Sequence, residues 1–242
     1  MRRGLSGTAL QALAALSMTV DHIGAVIMRE KQIAWTAVLH EMPILFALRA
    51  VGRAAFPIFA FLLVQGMLHT RSRKRFILRL AVFALLSELP FDLAFYGVFY
   101  YPDHQNIFFT LLLGAACIAL LDSGRVPGVV AVLGTSLLAQ LLCTDYAALG
   151  VLTILMFWRL SEKGAAGVVM VLLLFTGVCL MDGQRVYLFC LLSLPFLLCY
   201  NGARGGPTGR IGASVRRWGF YLYYPVHLLV LSVLAGHYNY FG

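Results

Sequence analysis

Charged side chains are scarce in this sequence: Asp, Glu, Lys and Arg together make up only 12% of its 242 residues. Hydrophobic residues make up 61%, and the mean hydropathy is +0.85. A soluble globular domain does not need that much apolar surface, so the composition excludes an ordinary water-soluble enzyme and indicates a chain folded in lipid. The apolar runs are continuous and do not alternate with polar residues, which favours transmembrane helices over the strands of a β-barrel.

Acidic residues are scarcer than basic ones, 10 against 19, and the formal net charge is +9. Such an excess is one sign of nucleic-acid binding. Most of these cations, however, lie in short loops between apolar runs, which is the distribution that the positive-inside rule produces. We therefore expect no nucleic-acid partner.

Cysteine is present five times, but without the spacing of a metal site or a redox motif. No CxxC pair and no Cys/His cluster occurs, and every cysteine lies in or at the end of an apolar run. Such cysteines are typical packing residues. The sequence therefore predicts neither a disulfide framework nor a metal site.

Nine apolar segments are candidate membrane spans, at about 8–28, 53–70, 76–90, 106–121, 126–143, 146–160, 165–181, 186–200 and 218–236. With the N-terminus in the cytoplasm, 14 of the 19 Lys and Arg residues lie on the cytoplasmic side, as the positive-inside rule requires. We therefore predict an all-α polytopic membrane protein, a single bundle of about nine transmembrane helices with a cytoplasmic N-terminus. One domain covers residues 1–242.

The stretch 33–48 is also apolar, but His40, Glu41 and Pro43 interrupt it. It is either a re-entrant or interfacial helix or a tenth span. A tenth span would place the C-terminus on the other side of the membrane.

Asp21 and His22 lie inside the first apolar segment. A charged side chain at the centre of a membrane helix costs roughly 2.5–3.5 kcal/mol even on insertion scales, and such residues usually face the bundle interior and mark a functional site. The alternative is that both residues lie near the outer helix end and extend into the headgroups.

Arg49 and Arg53 are four residues apart, so on a helix they share a face and can present two guanidinium groups to one anion. Pro57 follows, and a proline frees a backbone carbonyl and can kink a helix into a cavity. The alternative is that the arginines mark the outer membrane interface.

A dense basic cluster with Arg71, Arg73, Arg75 and Arg79 follows the second candidate span. An orientation signal with affinity for anionic lipid explains it. A second interpretation is a docking site for the phosphates of a nucleotide.

Two carboxylates, Glu88 and Asp92, flank Pro90. A proline should end or break the third helix here. A broken helix at membrane depth is tolerated mainly where it lines protein or water, and a carboxylate there would suit general acid/base chemistry.

Three further polar residues open later segments. Asn106 can cap the fourth span, and Asp145 can cap the sixth span and complement its dipole. The neighbouring Tyr146 can sit in an interfacial aromatic belt. Structure explains these residues as well as function does.

Near the C-terminus, Asn201 lies in a glycine-rich basic loop that lacks Walker or Rossmann spacing. The last span carries Tyr223, Tyr224, Pro225 and His227. Tyr223 and His227 share a helical face, and Pro225 can kink the helix between them. His227 either lines a cavity or is satisfied within the bundle.

Seven blocks of this sequence together resemble the TraX family of conjugal-transfer proteins. They run in order from the first span to the last, so the resemblance covers nearly the whole chain. The blocks are Asp21-His22-Ile-Gly24, Gly52-Arg53-Ala-Ala-Phe56-Pro57-Ile-Phe59-Ala-Phe61, Ser87-Glu88-Leu-Pro90-Phe91-Asp92, Asn106-Ile-Phe-Phe-Thr110-Leu, Asp145-Tyr146, Tyr200-Asn201-Gly202 and Tyr224-Pro225-Val-His227-Leu.

The resemblance implies N-acetylation of a conjugative pilin at the bacterial inner membrane, with acetyl-CoA as the donor. The chain is also similar to the wider class of multi-span acyltransferases that use a coenzyme A thioester. The expected partners are the acyl-CoA donor, membrane lipid and an acceptor that is a pilin or another cell-envelope molecule. The acceptor, an amine or a hydroxyl, stays open.

For this chemistry His22 is the expected base, because an imidazole titrates near neutral pH. Neighbouring helical residues point about 100° apart, so Asp21 should not orient His22. Glu88, Asp92 or His227 is the better partner. Arg53, with Arg49, would stabilise negative charge on the acyl carbonyl or grip an acidic acceptor.

The loops 71–79 and 204–217 would hold the phosphates of CoA. The predicted catalytic residues are His22, Asp21, Glu88 and Arg53, and the predicted binding residues are Arg49, Arg71, Arg73, Arg75, Asp92, Asn106, Asp145, Tyr146, Asn201, Tyr224 and His227. The alternative function is a proton-coupled transporter, since intramembrane Asp, Glu and His residues also form proton relays. A purely structural assembly subunit would leave the buried carboxylates without a role.

Overall fold

The computed structural model describes residues 4–31, 42–206 and 209–236. In these ranges all regular structure is helical, and extended backbone pairs only at two isolated bridges, Leu5 with Tyr200 and Gln105 with Thr144. The all-helical prediction is confirmed.

The elements follow the predicted segments closely. In chain order they are α1 (Gly7–Glu30), α2 (Pro43–Gly52), α3 (Ala55–His69), α4 (Arg73–Tyr96), α5 (Ile107–Ser123), α6 (Gly128–Leu141), α7 (Ala147–Arg159), a 3₁₀ turn (Ser161–Lys163), α8 (Gly164–Met181), a 3₁₀ helix (Arg185–Ser193), α9 (Leu194–Leu198) and α10 (Gly209–Leu234).

Within the part of the chain that the structure describes, three helical stretches are long and apolar enough to cross a membrane: Gly7–Met28, Pro43–His69 and Ser161–Met181. Five shorter apolar stretches accompany them: Ile107–Ser123, Gly128–Leu141, Ala147–Arg159, Arg185–Leu198 and Trp218–Leu234. The number of spans and the side of the N-terminus stay predictions.

Large apolar side chains cover the outside of several helices. On α4 the exposed residues are Leu78, Val82, Leu85, Leu86 and Leu89, which recur at the spacing of one helical face. The outer face of α6 is built in the same way, from Val129 to Leu141. Water would not favour so much contiguous apolar surface, so these faces and the long apolar helices identify a membrane protein.

The interrupted stretch 33–48 is helical in its second part. Pro43 lies in the first turn of α2, where a proline loses no intrahelical hydrogen bond. Residues 33–41 of this prediction lie outside the described residues.

The prediction that Pro90 ends or breaks the third helix is wrong. Helix α4 continues through Pro90 to Tyr96. A proline removes one intrahelical donor, and apolar helices in lipid tolerate this loss because neighbouring groups compensate for it. Helix α10 likewise continues through Pro225.

The eighth predicted span has an unexpected geometry. Its first part lies in a 3₁₀ helix, Arg185–Ser193, which begins one residue before the predicted span, and the following Leu194–Leu198 is α-helical. A 3₁₀ run of this length is uncommon, and it rises about 2.0 Å per residue against 1.5 Å in an α-helix. The segment therefore reaches further across the protein than its residue count indicates.

The chain forms two compact units. The first, called unit 1 below, comprises Met1–Phe59, Pro90–Phe99 and Leu172–Gly242. The second, unit 2, comprises Ala60–Leu89 and Tyr100–Val171. The single domain over residues 1–242 stays a prediction.

Candidate functional site

In unit 1 the Asp21 carboxylate lies between two guanidinium groups. Nη1 of Arg49 donates to Oδ2 of Asp21 at 2.7 Å and to the Asp21 carbonyl at 3.0 Å. Nη2 of Arg53 donates to Oδ1 and Oδ2 of Asp21 at 2.7 and 2.6 Å. Asp21 is 7% exposed and Arg53 8%. Asp21 therefore faces the protein interior, as predicted, and does not extend into the headgroups.

The chain reaches this geometry through a local break between α2 and α3. The amides of Arg53 and Ala54 bond three residues back, to the carbonyls of Ala50 and Val51 at 3.2 and 3.3 Å. Pro57, in the first turn of α3, has no N–H to offer the Arg53 carbonyl. The helix therefore stops at Gly52 and restarts at Ala55.

Gly52 lets α1 and α2 approach at this point. A Cβ at Gly52 would lie 2.0 Å from the Cβ of Asp21, which no side chain could accommodate. One helical turn towards the N-terminus of α1, Ser17 donates its hydroxyl to the Val51 carbonyl at 2.7 Å. Glycine is therefore required here for close packing of the two helices.

The spacing of Arg49 and Arg53 correctly predicted that two guanidinium groups share one anion. In this structure that anion is Asp21. Removing one member of a buried, hydrogen-bonded ion pair typically costs about 3–5 kcal/mol. The cluster therefore anchors α1 to the junction of α2 and α3.

His22 pairs with a residue from the other end of the chain. Its Nδ1 lies 2.8 Å from Nε2 of His227, and Nδ1 of His227 lies 3.0 Å from the Tyr223 carbonyl. The carboxylate of Asp21 forms ion pairs with Arg49 and Arg53. The expectation that His22 finds its partner on another span, and not in Asp21, is confirmed.

The hydrogen-bond chain assigns the tautomers of the neutral histidines. A carbonyl only accepts, so Nδ1 of His227 carries the hydrogen and its Nε2 accepts. Nδ1 of His22 must then donate to that Nε2. Nε2 of His22 is left with a lone pair, which is the arrangement of a general base.

Aromatic rings hold this pair in place. The rings of Tyr223 and His227 are nearly parallel, with centroids 5.0 Å apart and an interplanar angle of 11°. The rings of His22 and His227 lie side by side through their hydrogen bond, nearly coplanar at 13° and with centroids 5.1 Å apart. Phe95 meets His22 edge-on at 5.0 Å. Tyr224, 1% exposed, packs edge-on against both histidines. Tyr224 is thus a packing residue of this site.

A second contact fixes Tyr223. The hydroxyl of Thr19 donates to the Ala15 carbonyl at 2.9 Å, so its 2.6 Å contact with the Tyr223 hydroxyl has tyrosine as the donor. Sequence reasoning missed Thr19 and Phe95. Thr19 lies three residues before His22, so it is on the same helical face, and this spacing is a signal that could have found it.

Tyr187, on the 3₁₀ helix, is another residue that sequence reasoning missed. The Arg53 guanidinium carbon lies 5.3 Å from the centroid of the Tyr187 ring, the geometry of a cation–π contact. Tyr187 in turn meets Phe175 edge-on at 6.1 Å. Nothing in the local pattern around Tyr187 indicated this role.

The predicted residues Glu88 and Asn106 lie in unit 2. Nδ2 of Asn106 donates to the Ala84 carbonyl at 2.8 Å and to a carboxylate oxygen of Glu88. Its Oδ1 accepts the amide of Phe108 at 3.0 Å. Asn106 is thus the N-cap of α5, as the capping interpretation predicts, and Glu88 positions that cap.

Asp145 and Tyr146 also belong to unit 2, and the prediction that Asp145 caps its helix is wrong. The N-cap of α7 is Tyr146, whose φ is +62°, and no side chain caps this end. The Asp145 carbonyl instead accepts from Thr110, and its carboxylate lies 3.8 Å from Nε2 of His104. The left-handed turn at Tyr146 moves the helix start past Asp145.

Asn201 fastens the loop after α9 to the start of α1. Its Nδ2 donates to the Gly4 carbonyl at 3.2 Å, and its amide donates to the Leu5 carbonyl at 2.9 Å. The amides of Gly7 and Thr8 donate to the carbonyls of Ala203 and Arg204, both at 2.8 Å. The first N–H groups of α1 are therefore hydrogen-bonded to backbone carbonyls. Asn201 has a structural role, since it joins its loop to the start of α1.

The basic cluster lies at the start of α4, in unit 2. Arg73 forms an ion pair with Asp122 at 2.5 Å, whereas Arg71 and Arg75 are exposed. The hydroxyl of Ser72 accepts the Arg75 amide at 3.4 Å. In the other predicted phosphate loop, 204–217, the Arg204 side chain is exposed, and Arg210, Arg216 and Arg217 lie outside the side chains that the structure describes.

Asp92 is 0% exposed and lies in unit 1, on the part of α4 beyond Pro90. Among the residues that the structure describes, no group of three or more His, Cys, Asp or Glu side chains is placed to hold a metal ion.

Comparisons with known proteins agree with the family resemblance that the seven sequence blocks indicated. Residues 6–235 match the family described as TraX protein. A curated relative is the probable fimbrial assembly protein FimC, serogroup H1, of Dichelobacter nodosus, which is 24% identical over 242 residues and aligned over 92% of each chain. No solved structure matches.

Proposed function

The chain belongs to the TraX family, which is linked to pilus and fimbrial assembly, and we propose that it is an integral-membrane acetyltransferase. It moves an acetyl group from acetyl-CoA to an amine, the N-terminus of a pilin, or to a hydroxyl of another envelope molecule. Its site of action is the bacterial cytoplasmic membrane, which it crosses several times.

The observation that carries the proposal is the pair of His22 and His227. An acetyl-transfer enzyme needs a base at the acceptor, and Nε2 of His22 is the atom that the hydrogen-bond chain leaves with a lone pair. His227 orients the ring through Nδ1, as a carboxylate does in hydrolase triads.

In the proposed reaction Nε2 of His22 first accepts a proton and later returns it. The acceptor nitrogen or oxygen attacks the thioester carbonyl while Nε2 of His22 takes the acceptor proton. The carbon–sulfur bond then breaks, the acetyl group stays on the acceptor, and the thiolate of CoA leaves with the proton returned by His22. Asp21 is assigned the positioning of Arg53, and Arg53 the stabilisation of charge on the carbonyl oxygen.

The donor enters from the cytoplasmic side, where CoA resides. Arg71 and Arg75 are exposed cations of the basic cluster, and we assign them the contacts with its phosphates. Arg73 already pairs with Asp122 and contributes less. The start of α1 offers no phosphate cradle, because backbone carbonyls occupy its amides.

A proton-coupled transporter is the competing function, and the chain from His22 to His227 would also suit a relay. The position of Asp21 weighs against it. Both carboxylate oxygens accept guanidinium hydrogens, so this carboxylate is engaged in a structural contact instead of a proton path.

The test uses purified protein in detergent, with acetyl-CoA and a peptide that carries a pilin-type N-terminus. Release of the CoA thiol and acetylation of the peptide are measured together. We expect H22A to lose about 10²–10⁴-fold in rate, the usual contribution of a general base, with little change in thermal stability.

The matched control is H69A, because His69 is exposed and its Nδ1 bonds the Gln65 carbonyl of its own helix at 2.8 Å. Most of the wild-type rate remaining in H22A would reject His22 as the base. Absence of thiol release in the wild-type protein with every amine and hydroxyl acceptor tried, together with proton flux in vesicles, would favour the transporter.

A further inference from the structure

Unit 2 contains an open groove of about 560 Å³ that the proposed chemistry does not use. Its walls come from α5, α6 and α7 and are mostly apolar, including Leu121, Val132 and Leu155. Its volume lies within the range of about 300–1,000 Å³ that small-molecule sites occupy.

Two lining residues at the end of α7 give the groove its chemical character. Arg159 is exposed, and its guanidinium carbon lies 5.6 Å from the centroid of the Trp158 ring. Among the described residues Arg159 forms no ion pair with an acidic side chain. The groove thus combines an apolar channel, an aromatic ring and one available cation.

The residues around the groove indicate whether it opens to water or to lipid. Val129 and Leu133 line it and are 70% and 64% exposed, and they continue into the outward apolar face of α6, with Leu137 and Leu141. In a membrane protein such a face meets acyl chains, so the groove opens directly to lipid.

We propose that this groove is a binding site for an anionic phospholipid. One acyl chain lies along the apolar walls, and the phosphate pairs with Arg159, while Trp158 marks the level between chain and headgroup, where Trp residues are enriched. Charge complementarity decides the class of lipid, since the cation would find no net negative charge on a zwitterionic headgroup.

Coenzyme A fits this groove less well than a lipid. Its nucleotide carries several phosphates and a polar base, whereas the lining supplies a single cation and apolar walls. Its site would also have to open to water, and this groove opens onto the exposed apolar face of α6.

The fluorescence of Trp158 can report whether a lipid occupies the groove. The chain has three tryptophans, and a W35F/W218F background leaves Trp158 as the sole tryptophan, whose emission is separated from that of tyrosine by excitation at the red edge of the absorption band. The protein is reconstituted in phosphatidylcholine vesicles that contain a small fraction of phosphatidylglycerol or phosphatidylcholine with brominated acyl chains, which quench tryptophan at contact. We expect brominated phosphatidylglycerol to quench Trp158 at about fivefold lower fraction, the preference one cation near anionic lipid supplies.

Two matched pairs of variants test the site. R159Q should abolish the preference and R159K should keep most of it, whereas R125Q should leave it unchanged, because Arg125 is exposed but does not line the groove. V129F should reduce quenching by filling the groove. V130F, whose residue is 57% exposed and outside the lining, should not.

Equal quenching by both lipids in the wild-type background would overturn the proposal in favour of general lipid contact. A preference that persists in R159Q, or equal effects of R125Q and R159Q, would also overturn it. Relief of the phosphatidylglycerol quenching by soluble CoA would assign the groove to the donor instead.

Discussion

The polar clusters of unit 1 and unit 2 arise from the same sequence signal, uncommon polar residues within apolar helices, yet their contacts differ. In unit 1, side chains from distant segments meet each other: Asp21 with Arg49 and Arg53, and His22 with His227. In unit 2, Asn106 bonds to two backbone groups, at Ala84 and Phe108, and to one side chain, that of Glu88.

This difference helps to distinguish a candidate functional site from residues that only stabilise the fold. A side chain that completes a helix end has most of its hydrogen-bonding capacity committed to backbone groups. A side chain held by other side chains keeps a defined orientation and can retain an atom for chemistry, as Nε2 of His22 does. The nature of the partner, more than the rarity of the residue, therefore indicates function.

The largest effect expected from this comparison concerns Asp21. D21A removes the carboxylate between two guanidinium groups, which then repel each other, and should lower the free energy of unfolding by about 3–5 kcal/mol. Thermal unfolding in detergent measures it. The double variant D21A/R53M removes one cation as well and should recover part of the loss. A loss below about 1 kcal/mol in D21A would mean that the cluster is not an anchor.

Asn106 should show a smaller effect of a different kind. N106A removes the N-cap of α5 and should lower stability by about 1 kcal/mol, the typical value for a cap. The acetyl-transfer rate should stay within about threefold of wild type, because a cap acts on the helix and not on the reacting atoms. Parallel measurements of unfolding and rate decide this, and a selective loss of rate at unchanged stability would move Asn106 into the site.

The smallest effect belongs to the basic cluster. R71Q/R75Q should raise the KM for acetyl-CoA and leave kcat largely unchanged, as expected for uniform binding of the phosphates. Salt should reduce the difference, since screening acts over roughly 10 Å at 0.1 M. R73Q is the comparison variant, because Arg73 is already paired with Asp122. An unchanged KM in correctly inserted R71Q/R75Q would exclude this cluster from donor binding.

Local patterns predicted the local parts of the fold. Continuous apolar runs located nearly all the helices, the spacing of Arg49 and Arg53 predicted a shared anion, and Asn106 was recognised as a possible cap. Each of these depends on residues close in sequence, for which helical geometry sets the relative position.

Pairings across the chain could not be read in the same way. His22 and His227 are 205 residues apart. Because neighbouring helical residues point about 100° apart, Asp21 could be excluded as the partner of His22. The sequence could not decide whether that partner is Glu88, Asp92 or His227. Tyr187 reaches Arg53 from a 3₁₀ helix whose sequence is as apolar as an α-helix. Only tertiary packing determines such contacts.

The two corrections have local causes that sequence rules treat as exceptions. Pro90 lies within an apolar helix, where losing one donor does not break the element. At Asp145 the chain turns into the left-handed region at Tyr146, a conformation unusual for tyrosine, and this moves the helix start by one residue.

The backbone bonds that tie Gly7 and Thr8 to Ala203 and Arg204 have a mechanical consequence. Helix α1 is a stiff rod, and His22 lies about 22 Å along it from Gly7 at 1.5 Å per residue. The Asp21 cluster also anchors α1, one residue before His22. The helix is therefore held both at its start and beside the candidate base, and these two attachments together fix the position of the His22 ring along the helix axis.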